Sequence, residues 1–166
     1  MLILDIGCGD QPYVAKDNET VITCDIRPEV KPNVICDVRE LPFETEYFDR
    51  VRASHVLEHF SRNETHKVLD GWVRVLKTGG ELEIIVPDIM WAAERLILTN
   101  WDCNKRNTIY DEDTVISILY GDQTYETNYH KTGFTKVNLK RELEILNLKI
   151  KSIDREGYNL KMIGIK

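Results

Sequence analysis

The chain has 166 residues, enough for one domain of ordinary size, and 42% of them are hydrophobic, which excludes a disordered chain. A formal charge of −6 weighs against a surface built to wrap nucleic-acid phosphates. No apolar run is long enough to span a bilayer.

The chain opens on MLILDIGCGD, with neither a basic leader nor a signal-peptide shape, so the expected compartment is the cytoplasm. Residues 2–6 read as a short apolar strand that runs into a glycine loop. Residues 20–24, 33–36 and 48–53 read as the second, third and fourth strands. A helix is predicted over 61–77. Ser61 and Glu64 form a capping box at its start, Val68, Leu69, Trp72, Val75 and Leu76 form its apolar stripe, and Gly79 and Gly80 stop it. Residues 81–86 read as a fifth strand, and Asp88 caps a helix to about residue 99. The stretch 100–135 is irregular, with a helix over 112–119, and is expected on the substrate side. Thr135 caps a helix to about residue 146, and 149–153 with 161–165 form a terminal antiparallel hairpin.

Strands alternating with helices predict an α/β fold: one Rossmann-like, doubly wound, mostly parallel sheet spanning residues 1–166 as a single domain. No helix precedes the first strand in this sequence, and only residues 26–32, with Pro28 and Pro32, separate the second and third strands. One sheet face is therefore expected to be thinly covered, and a second copy or a partner subunit is expected to lie on it. Cys8, Cys24, Cys36 and Cys103 contain no CxxC pair and read as reduced, small buried side chains, three of them near strand ends.

The main chemical signal is Leu4-Asp5-Ile6-Gly7-Cys8-Gly9-Asp10. A strand followed by Gly-x-Gly lets backbone approach a ligand at the carboxyl edge of the sheet. Asp5, Asp25 and Asp37 each end one of the first three strands, so all three line that edge. An acid after the second strand can take both hydroxyls of a ribose, and one after the third can accept from an adenine amino group. Pro12 stands where a dinucleotide fingerprint has its third glycine, and Asp5 and Asp10 repel a pyrophosphate. The carboxylates favour S-adenosylmethionine, which carries a sulfonium and an ammonium, over a nicotinamide dinucleotide.

At these residues the sequence resembles the class I methyltransferases. LDIGCGDQP is similar to their first motif, VITCDIRP to the ribose-binding acidic motif, ICDVRELPFETEYFDRVRASHVLEHF to the adenine-binding and fourth-strand region, and RVLKTGGELEIIVPD to the fifth-strand region. The nearest resemblance is to small methyltransferases of the type-11 group, often linked to surface-glycan synthesis. Their S-H-V-L-E-H segment matches residues 54–59. Their later G-G-Q, H and F-T pattern matches Gly121-Asp122-Gln123, His130, Phe134 and Thr135. The resemblance implies that Asp5, Gly7, Cys8 and Gly9 hold the methionine part, Asp25 the ribose, Asp37 and Val38 the adenine, and that Ser54 and His55 lie beside the methyl group. The missing crossover helix leaves the pocket more open than in that family.

A hydroxyl acceptor benefits from a base, and imidazole accepts a proton near neutral pH. His55, His59 and His130 are the candidate catalytic residues, and His66 is read as an inert surface group. His55 and His59 would share a face if helical, but with Glu58 they do not form the HExxH order, and no metal is expected. Tyr110, Tyr120, Tyr125 and Tyr129 are candidates for an acceptor wall. The expected function is methyl transfer from S-adenosylmethionine to an O or N acceptor, a sugar or other small molecule, with nucleic acid disfavoured by charge. The alternative is a catalytically weak S-adenosylmethionine-binding subunit that needs a partner protein. A nicotinamide-dependent dehydrogenase is the third reading.

Overall fold

The computed structural model describes residues 1–98, 112–125 and 127–166. Seven strands form one sheet in the order β3-β2-β1-β4-β5-β7-β6. They are β1 (Leu2–Ile6), β2 (Thr20–Asp25), β3 (Val34–Ile35), β4 (Phe48–Ser54), β5 (Leu76–Pro87), β6 (Lys149–Glu156) and β7 (Asn159–Ile165). The first five run parallel, and β7 is antiparallel to both β5 and β6. The chain moves outward from β1 to β2 and β3, then returns to β4 on the other side of β1. That reversal opens a crevice beyond the carboxyl ends of β1 and β4, where ligands bind in open α/β sheets.

The helices are α1 (Arg62–Val75), α2 (Ile89–Leu98), α3 (Glu112–Tyr120) and α4 (Lys136–Ile145). Ser61 donates its backbone N–H and its hydroxyl to Glu64 at 3.0 and 2.6 Å, closing the expected capping box. Helix α1 ends at Val75, two residues before the predicted end. The reason is tertiary: Leu76 pairs with Phe48 and is fully buried, and Tyr47 N donates to the Val75 carbonyl. Strand β5 therefore runs through Gly79 and Gly80 instead of starting after them. At Gly80 a Cβ would meet Leu76 Cδ1 and the carbonyls of Asp49 and Lys77 within 2.9 Å, so only glycine fits. The terminal hairpin is as expected but longer, with Gly157 and Tyr158 as its turn.

The two faces of the sheet differ in kind. Leu4, Ile6, Val51, Ala53, Leu82, Ile84, Leu160 and Met162 form one apolar face, which packs with Trp72 and Leu69 of α1 and Leu139 and Leu143 of α4. The opposite face carries a ladder of charge across four strands. Asp5 accepts from Arg52 at 2.8 Å, Arg52 reaches Glu83 at 3.2 Å, and Lys161 approaches Glu83 at 3.6 Å. Arg50 also pairs with Glu83, and Tyr13 lies under the guanidinium groups of Arg50 and Arg52. The expected thin cover is thus observed, with a physical reason: this face is polar, so it needs no helix to bury it. No α-helix follows the glycine loop before β2, and a single short 3-10 turn (Pro28–Val30) stands between β2 and β3. Among the described residues no helix is long and apolar enough to cross a membrane.

Candidate active site

A cleft of about 780 Å³ lies at the switch point, lined by Gly7, Cys8, Gly9, Asp25, Asp37, Val38, Ser54, His55, His59 and His130 among others. Gly7 and Gly9 both have positive φ, 59° and 55°, a backbone that glycine adopts without strain. A Cβ on Gly7 would stand 2.5 Å from Val56 Cγ2. The loop is tied down by Cys8 N donating to the Cys24 carbonyl and by Gly9 N donating to Asp25 Oδ2 at 2.9 Å.

Each acid of the expected row meets an arginine. Asp25 Oδ1 accepts from the backbone N–H of Arg27 at 2.9 Å and from its Nε at 3.4 Å. Asp37 accepts from Arg39 Nε and Nη2, and these bonds hold its carboxyl below the usual range. Asp5 is paired with Arg52 and also accepts from Tyr13 N at 2.8 Å. Asp5 is fully buried and does not line the cleft. Its carboxylate thus braces the strand end and the residue 7–13 loop from behind.

These pairings also change the electrostatic argument. Paired carboxylates repel a phosphate less than bare ones. The stronger objection to a dinucleotide is the backbone, because no helix N-terminus follows the glycine loop to receive a pyrophosphate. The cleft fits S-adenosylmethionine instead. It offers a glycine cradle that a side chain would fill, a buried Asp25 whose oxygens retain accepting lone pairs, and the buried apolar edge of Val38 beside Asp37.

Across the cleft, His55 begins the turn after β4 with φ of 56°, and its N–H donates to the Ile85 carbonyl. His55 and His59 are not on one helix face, since only a 3-10 turn (Leu57–His59) forms there. His55 Nδ1 lies 3.2 Å from Glu58 Oε1, while the geometry completes no hydrogen bond to either Glu58 oxygen. Lys131 N and Thr132 N both donate to the Glu58 carbonyl, which brings the distant residue 130 alongside. The rings of His59 and His130 meet edge to face with centroids 5.2 Å apart. Burial pushes the His130 imidazole below its usual range, so it is neutral at physiological pH.

Tyr125 lines the cleft and stacks 4.9 Å from the Arg27 guanidinium carbon. Tyr120 and Tyr129 are exposed and do not line it, and Tyr110 lies outside the described residues, so the expected tyrosine wall reduces to Tyr125 with Tyr158, which the sequence reading did not single out. His66 is half exposed on α1. Cys8 and Cys24 are buried and Cys36 partly so; burial pushes the Cys24 thiol far above its usual range, and Cys103 lies outside the described residues. Sequence reasoning missed the arginines, and it weighed Glu58 only with His55 and His59, not with His130. Arg27 and Arg39 were readable, since Asp-x-Arg recurs at the ends of two strands, in Asp25-Ile26-Arg27 and Asp37-Val38-Arg39.

Residues 4–84 match the family described as "Methyltransferase domain", of the type-11 group. The probable tRNA methyltransferase 9B of Mus musculus is 35% identical over 105 residues, 57% of this chain and 22% of that protein. The Arabidopsis thaliana tRNA (carboxymethyluridine(34)-5-O)-methyltransferase is 34% identical over 113 residues, 60% of this chain and 27% of that one. The chain thus spans about a quarter of the length of these relatives. Among solved structures, a SAM-dependent methyltransferase from Methanosarcina mazei aligns with a TM-score of 0.69 at 19% identity, covering 99% of this chain and 92% of that one. The Burkholderia thailandensis 1,6-didemethyltoxoflavin-N1-methyltransferase, solved with S-adenosylhomocysteine, aligns at 0.66 and 16% identity over 99% of this chain and 70% of that one. The methyltransferase in a Haloferax volcanii complex with the activator Trm112 aligns at 0.64 and 13%, over 99% and 81%. Residues 4–84 thus match the type-11 methyltransferase family, and the whole chain has the fold of S-adenosylmethionine-dependent methyltransferases, which supports S-adenosylmethionine as the cofactor.

Proposed function

We propose that this chain transfers a methyl group from S-adenosylmethionine to an oxygen or nitrogen acceptor. The observation that carries the reading is one cleft with a glycine cradle and two strand-end acids on one wall and three imidazoles on the other. S-adenosylmethionine, when bound, supplies a methyl group already activated on a positively charged sulfur. Gly7, Cys8 and Gly9 hold its methionine part through backbone, Asp25 accepts from the ribose hydroxyls, Asp37 and Val38 take the adenine, and Ser54 stands beside the methyl end. The chain's remaining task is to orient the acceptor, exclude water and receive a proton. His55, His59 and His130 are the candidates for the last role, with His130 kept neutral by burial. Residues 112–125 and 127–135 supply the acceptor side of a single domain; the rest of the segment expected there lies outside the described residues.

The names of the relatives weigh against a sugar and favour a tRNA nucleoside or a small molecule as acceptor. A cytoplasmic setting accords with either. A second reading is favoured by the Trm112 complex: a weakly active subunit that needs a partner, here one that meets the charged sheet face. The test is release of S-adenosylhomocysteine by the purified chain, with tRNA and with small hydroxyl and amine acceptors. Turnover that His130→Ala abolishes while cofactor binding persists is the expected result. Binding without turnover on every acceptor would favour the subunit, and tight NAD binding with no affinity for S-adenosylmethionine would overturn both.

A further inference from the structure

We propose that Glu58, His59 and His130 form a binding site for one divalent transition-metal ion of the zinc type, on the acceptor wall of the cleft. One ligand atom from each of these residues lies within 4.8 Å of the other two. Glu58 is 1% exposed and neither of its carboxylate oxygens has a hydrogen-bond partner, although His55 Nδ1 approaches Oε1 to 3.2 Å. A buried carboxylate left that way is costly, and in folded proteins such a group is paired or binds a metal.

The imidazoles are set up for ligation. His59 Nδ1 lies 3.2 Å from the Tyr129 carbonyl, and His130 Nδ1 lies 3.0 Å from the Ile118 carbonyl. A carbonyl only accepts, so each Nδ1 carries the proton and each Nε2 keeps a free lone pair. Metal-binding histidines are oriented in this way, by a carbonyl or carboxylate on the other ring nitrogen. The ligands come from two distant segments, which the backbone bonds from residues 131 and 132 to Glu58 hold together. Two imidazoles and one carboxylate make a three-ligand set that leaves a coordination position open. Zinc bonds of about 2.0–2.2 Å require the side chains to draw in by small rotations.

His59 and His130 both line the cleft, so an acceptor there could reach an ion they hold. An oxygen of the acceptor bound there would be held beside the methyl end and polarised by the ion. This use of the site rests on the methyl-transfer reading; ion binding itself does not. The test uses metal alone. The chain, stripped with chelator and without cofactor or acceptor, is titrated with cobalt(II) and followed by visible absorption. A single equivalent with the bands of a four- or five-coordinate ion is expected, with affinity lowered about 100-fold or more in Glu58→Gln and in His130→Gln. Circular dichroism shows whether each variant is folded, and His59→Asn serves if His130→Gln is not. Absence of the bands, or equal affinity in folded variants, would overturn the proposal. S-adenosylmethionine titrated in parallel separates the outcomes: if it binds and cobalt does not, the ion site falls and the methyltransferase reading stands.

Discussion

The two walls of the cleft treat their acidic groups in opposite ways. On the cofactor side every acid is met: Asp5, behind the cleft, by Arg52, and Asp25 and Asp37 on its wall by Arg27 with Gly9 N–H and by Arg39. On the acceptor wall Glu58 is as buried as Asp5 yet has no completed hydrogen bond. The first wall is satisfied before any ligand arrives and therefore rigid. The second holds a buried carboxylate beside the His55 ring, with hydrogen-bonding capacity that a bound group can fill. Rigidity on one side and unmet demand on the other suit a cofactor that binds in one pose and an acceptor that completes the site.

The largest expected effect breaks the satisfied wall. Arg52→Ala strips Asp5 of its buried partner and should cost about 3–5 kcal/mol of stability, read as a lower denaturant midpoint. If it costs no more than a surface substitution, Asp5 is not compensated as described. Gly7→Ala forces a Cβ against Val56 at a positive φ and should cost about 1–3 kcal/mol, with cofactor binding lost in calorimetry. Asp25→Asn should leave the fold intact and weaken S-adenosylmethionine binding by about 1.5–3 kcal/mol, the worth of a hydrogen bond to a charged group. Unchanged affinity would remove Asp25 from the ribose site.

Glu58→Gln sharpens the contrast from the other wall. It breaks no completed hydrogen bond and loses only the His55 contact, so the metal-free chain should change by no more than about 1 kcal/mol in thermal unfolding. A loss like that of Arg52→Ala would erase the distinction between the walls. The smallest effect concerns pH. Arg39 holds the Asp37 carboxyl below its usual range in the folded chain, so the stability this pair adds is present above the unfolded pKa of about 3.9 and is lost as pH falls through the folded value. Arg39→Ala should therefore differ slightly from the parent near neutrality and match it at low pH in acid titrations.

The same division explains what the sequence could be made to say. On the cofactor wall, strand, loop and acid follow one another along the chain, so Asp5, Gly7, Gly9, Asp25 and Asp37 could be placed at one sheet edge from pattern alone. What pattern could not give was occupancy: Arg52 meets Asp5 only because β1 and β4 pair in register. On the acceptor wall the histidines could be named but not joined. Glu58 and His130 meet through backbone bonds between remote segments, and the identity of residue 58 carries no local mark of that meeting. The same limit applies to α1, whose apolar stripe continues past Val75 although pairing of Leu76 with Phe48 ends the helix there.

His55 adopts a left-handed backbone that glycine would accept with about 1 kcal/mol less strain. On the proposed role of His55 in proton transfer, thermostability and turnover pull position 55 in opposite directions. A library of variants screened only for survival of heating should enrich glycine there, and one screened for product should keep histidine. The residue recovered at that single codon would report which pressure had acted.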